Sequence, residues 1–108
     1  MKILEEILAL IDDIDNIMED LLSSGFNAVH DFTIKELGRL GALSESYGMK
    51  TCSEMLNNLK ETLDKKRHNF DFEYEKTIEE YFRINKYLML CRRKLEVNKA
   101  INNLKKES

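Results

Sequence analysis

The chain has 108 residues, 43% of them apolar and 34% charged, with a formal net charge of −3. That length suits one domain with a single core, the apolar share argues against disorder, and four glycines with no proline leave too little punctuation for a many-stranded β fold. The composition therefore predicts an all-α domain spanning residues 1–108.

The charge is unevenly spread. Residues 1–22 carry Glu5, Glu6, Asp12, Asp13, Asp15, Glu19 and Asp20 against Lys2 alone. Residues 83–106 carry Arg83, Lys86, Arg92, Arg93, Lys94, Lys99, Lys105 and Lys106 against Glu96 alone. The two ends are electrostatic complements, which fits either a side-by-side pairing of the first and last helices or a basic end that meets an acidic partner.

In chain order, the first element is a helix over residues 2–23. Leu4, Ile7, Ile11, Ile14, Met18 and Leu21 form its seam, with Ile3, Leu10 and Ile17 on one side and Leu8 and Leu22 on the other. So wide a stripe calls for two neighbours at once, as inside a bundle, or for one neighbour and a second copy of the molecule. Ser23, Ser24 and Gly25 end the helix, with Gly25 as a left-handed cap. Phe26, Val29 and Phe32 then have the spacing of a short turn tucked under the bundle end.

A second helix is predicted over 34–47, opened by the capping box Thr33-Ile34-Lys35-Glu36 with Phe32 stapled onto Leu37. Gly38 and Gly41 lie inside it, and each costs about 1 kcal/mol relative to Ala, so their reason should be the close approach of another helix. Gly48 closes this helix. A third runs over 52–67 behind a second capping box, Thr51 to Glu54, buries Cys52, Met55, Leu56, Leu59 and Leu63, and ends on Lys65, Lys66 and Arg67, which suit its negative pole. The short turn between the two makes them an antiparallel hairpin.

Asn69 is a candidate stop and Asp71 a candidate N-cap, with Glu73 and Glu75 at the positive pole of the helix they open. That last helix runs over 71–105, about 50 Å. It carries Tyr74, Ile78, Tyr81, Ile84, Leu88, Cys91 and Leu95 on one face, after which the pattern shifts to Val97, Ile101 and Leu104. The predicted architecture is a small antiparallel four-helix bundle, two short central helices between long terminal ones, with the end of the last helix (about 96–108) projecting.

The usual catalytic signatures do not occur in the sequence. Gly38-Arg39-Leu40-Gly41 lies inside a helix and makes no phosphate loop, and neither Glu-x-x-His nor His-Glu-x-x-His is found. His30 and His68 are isolated, and no metal or other cofactor is expected. Cys52 and Cys91 form no CxxC pair; Cys91 shares a seam with Leu88 and Leu95, which favours a core role over a reactive thiol despite Arg92 and Arg93 beside it. No apolar run reaches the roughly 18 residues of a membrane span, Glu5 and Glu6 interrupt any signal-peptide pattern, and a reduced, cytoplasmic protein is expected.

The functional expectation is a non-enzymatic helical interaction or regulatory module, a homo-oligomer or the binder of a protein partner, with Val97, Ile101 and Leu104 as its apolar contact. Arg83, Lys86, Arg92, Arg93, Lys99 and Lys106 form a basic ridge. The alternative use of that ridge is association with nucleic acid.

Overall fold

The computed structural model describes residues 2–26, 29–68 and 74–107 of the chain. Four helices follow one another: α1 Lys2–Ser24, α2 Asp31–Ser46, α3 Lys50–His68 and α4 Tyr74–Glu107. α1 packs beside α2 and α4, and α3 beside the same two, so α1/α3 and α2/α4 face each other across the core. Three contacts fix the directions. Tyr47, just after α2, reaches Glu6 near the start of α1; Phe26, just after α1, meets Tyr81 near the start of α4; and Thr62, late in α3, bonds Glu80, early in α4. Each helix is thus antiparallel to its neighbours, as an up-down-up-down bundle requires.

The wide stripe of α1 has the two-sided contact that its width demands. Leu10, Ile11, Ile14, Ile17, Met18 and Leu21 are all buried, while Ile3 and Leu22 at its ends are exposed. Leu37 and Leu40 of α2, Leu56, Leu59 and Leu63 of α3, and Ile84 and Leu88 of α4 complete one continuous core. Gly25 and Gly48 have φ of 80° and 78°, the left-handed conformation that ends the helices before them.

Neither capping box forms. α2 starts three residues earlier than its box predicts: His30 is the N-cap with no side-chain cap bond, and its carbonyl accepts from the amides of Thr33 and Ile34. Phe32 faces solvent and staples nothing. Starting at Asp31 places a carboxylate in the first turn, where the helix dipole favours it, and leaves Ile34 and Leu37 on the same inward face. α3 likewise starts at Lys50, with the Ser53 amide donating to the Met49 carbonyl, so Thr51 lies within its first turn. The expected stop at Asn69, cap at Asp71, dipole role of Glu73 and start of α4 at 71 lie outside the described residues, as do the side chains of Lys66, Arg67 and His68.

The two glycines of α2 mark where α3 comes close. A Cβ on Gly38 would stand 2.9 Å from the Lys60 ammonium nitrogen, and one on Gly41 would stand 2.9 Å from the Asn57 amide oxygen. The first obstacle is the end of a long flexible chain and swings away. Gly38→Ala should therefore raise stability by about 0.5–1 kcal/mol through helix propensity. Gly41→Ala should gain less, because the shorter Asn57 side chain has less room to turn. Thermal melts of both variants check this, and a lowered midpoint for Gly38→Ala would mean that the bare backbone is needed there.

Candidate functional site

The distinctive part of the molecule is the C-terminal half of α4. Cys52, two residues past the start of α3, is buried in the core against which Cys91 of α4 also packs. Toward its C-terminus α4 lines a groove together with the start of α1. Among residues 93–106 only Leu95 and Asn102 are half-buried; the rest are exposed. A groove of about 450 Å³ opens between Ile3, Leu4 and Ile7 of α1 and Leu95, Asn98, Ile101, Asn102 and Lys105 of α4.

Outside that groove α4 has a second apolar face. At about 100° per residue, Leu90, Val97 and Leu104 fall within about 40° of one another, opposite Tyr81, Ile84 and Leu88. They are 52%, 56% and 66% exposed, and Ile101, at 44%, joins this stripe to the groove. Phe82 and Met89 lie exposed on the same side. Val97, Ile101 and Leu104 are readable in the sequence as apolar residues off the main seam. Leu90 and Met89 are not singled out by that reading, although the seven-residue step from Leu90 to Val97 to Leu104 is present in the sequence.

The basic residues divide between two environments. Arg92 points to α1, where its guanidinium donates to Asp12 at 2.8 Å and to Asp15, one turn apart on that helix. These bonds, with the charges of both aspartates, raise its already high pKa against the opposing effect of burial. Arg83, Lys86, Arg93, Lys99 and Lys106 are exposed, and Arg83, Lys86 and Arg93 lie on the outer side of α4 around the second apolar stripe. Among the described residues Arg92 thus clamps the basic closing segment to the acidic opening one, while Arg83, Lys86, Arg93, Lys99 and Lys106 are exposed.

Titratable groups elsewhere have structural settings. Burial pushes the Cys52 thiol up, and its neighbour Ser44 bonds back to the Leu40 carbonyl. Cys91 is half-buried against the core, next to Tyr87, whose hydroxyl is pushed up to about 12 by burial and by its hydrogen bond with Cys91. His30 is exposed at the α1–α2 turn. Among the described residues no three His, Cys, Asp or Glu side chains gather where they could hold a metal ion. No helix among them is long and apolar enough to cross a membrane.

Glu80 is the one buried side-chain mismatch among the described residues. Its Oε1 accepts from Thr62 at 3.2 Å, while its Oε2 is buried without a hydrogen-bond partner. Burial raises its pKa, opposed by the Thr62 bond and by Lys76, Arg83 and Lys65. A carboxyl whose folded pKa is raised binds its proton more tightly in the folded state. Its protonated form therefore favours folding below the unfolded value near 4.3, and this contribution fades as pH rises through the folded value. Glu80→Gln should add no more than about 0.5 kcal/mol at pH 7, because solvent and the nearby Lys76, Arg83 and Lys65 screen much of the cost of its charge, and close to nothing at pH 4. Denaturant melts at the two pH values check it, and an equal gain at both would refute the assignment.

The fold and this surface define an all-α four-helix bundle whose terminal helix carries apolar residues on two faces. No protein-family model, no curated protein and no solved structure matches the chain.

Proposed function

We propose that this protein is a non-enzymatic helical interaction module that self-associates through the end of α4, in a reduced, cytoplasmic setting. The observation that carries the reading is the apolar stripe on the outer face of a helix whose inner face already supplies the core. Helices of a monomeric bundle keep one apolar face, and a second one is ordinarily covered. Light scattering tests it: the expected mass is twice 12.7 kDa, and a mass of 12.7 kDa at every concentration would refute it.

The second reading, association with nucleic acid, draws on the exposed Arg83, Lys86, Arg93, Lys99 and Lys106. Arg92 contributes less to it, since Asp12 and Asp15 engage that side chain. This reading requires retention on a polyanion resin at low salt, falling steeply as salt rises. The interaction reading predicts no such retention.

A further inference from the structure

We infer that two copies pair through antiparallel α4 helices about a two-fold axis at Val97, with Leu90 of each copy against Leu104 of the other. This rests on the self-association reading above and adds the partner's direction and register.

Three observations support a second copy in this orientation. The first is spacing. Leu90 and Leu104 lie seven residues before and seven after Val97, on one face, so a reversed copy presents the same three side chains in the same order. The second is charge. A parallel in-register pair would set Arg93 and Lys94 against their own counterparts at the centre of the contact. Reversal places Arg93 against Ile101 of the other copy and separates the two Arg93 side chains by eight residues, about 12 Å, beyond the screening length of about 8 Å at physiological salt. The third is area. Leu90, Val97, Ile101 and Leu104, each near half exposed, offer on the order of 400 Å² of apolar surface per copy. With the aliphatic stems of Arg93 and Lys94 this approaches about 600 Å² per copy, the lower end of stable interfaces.

Disulfide trapping reads the direction. Val97→Cys sits on the axis and should cross-link to itself. Leu104→Cys should not, because its two copies are about 21 Å apart along the helices, far beyond the roughly 7 Å a disulfide tolerates between Cα atoms. An equimolar mixture of Leu90→Cys and Leu104→Cys should cross-link. The wild-type chain, with its own Cys52 and Cys91, gives the background, and light scattering under reducing conditions confirms that each variant still pairs.

Self-linking by Leu104→Cys as readily as by Val97→Cys would overturn the antiparallel register while leaving self-association intact. A wild-type chain that is monomeric by light scattering would overturn both. So would a monomer that floats with phosphatidylserine vesicles, which would assign the stripe and its flanking arginines to a membrane surface.

Discussion

On the proposed pairing, Ile101→Asp should shift dimer toward monomer, weakening association by about 10-fold or more, while the melting temperature of the monomer barely moves. The side chain joins the outer stripe to the groove beside Leu95 and Asn98, so a carboxylate there enters the proposed contact one turn from its axis. Truncating an interface anchor typically costs about 2 kcal/mol or more, and the Arg93 that the reversed register sets against residue 101 offsets only about 0–1 kcal/mol of it as a solvent-exposed pair. In the monomer the same residue lies 44% exposed, where a polar substitution changes stability by no more than about 0.5 kcal/mol. Sedimentation equilibrium and a thermal melt of the same variant measure both quantities. A dimer that persists would exclude this face, and a large loss of stability would mean that Ile101 belongs to the core.

Leu56→Ala should do the reverse, destabilising the fold by about 3–4 kcal/mol. Leu56 is fully buried on α3, in a core shared with Ile14 of α1, Leu40 of α2 and Leu88 of α4. Removing three carbons from such a site forfeits their transfer free energy and leaves a cavity that the close-packed neighbours only partly fill. In a domain of this size that corresponds to a fall in midpoint of about 12–25 °C. Leu104→Ala removes the same atoms from a site 66% exposed, so its monomer should melt within a few degrees of the wild type. Urea or thermal denaturation of the two variants side by side checks the contrast. Equal losses would mean that the core and the projecting end are not energetically distinct.

The contrast also explains which parts of the structure were legible in the sequence. Helix number and the buried faces follow from three- and four-residue spacing, because burial of a stripe is decided by rotation about the helix axis. Gly25 and Gly48 were legible as stops because a positive φ is open chiefly to glycine. The helix starts were not. Beginning at Asp31 or at Ile34 leaves Ile34, Leu37 and Leu40 on the same inward face, so periodicity does not choose between them, and the Thr33 box gave way to three more residues of helix. The doubled face of α4 was legible only in part. Val97, Ile101 and Leu104 stand apart from the main seam, but Leu90 hides within the continuous run Tyr87-Leu88-Met89-Leu90-Cys91, where spacing alone does not separate an inward Leu88 from an outward Leu90. The acidic and basic ends were legible as complements. That Arg92 makes the link, through Asp12 and Asp15, depends on helix register, which the sequence does not fix.

Self-association through the end of α4 is tested most directly by amide hydrogen exchange of residues 96–106, measured from dilute to concentrated protein. Alone, this segment is a helix end with one neighbour and exposed backbone bonds, so its amides should exchange rapidly. Protection there should rise with concentration while that of Leu56 and Leu59 in α3 stays constant. Exchange at residues 96–106 that is independent of concentration would contradict the account.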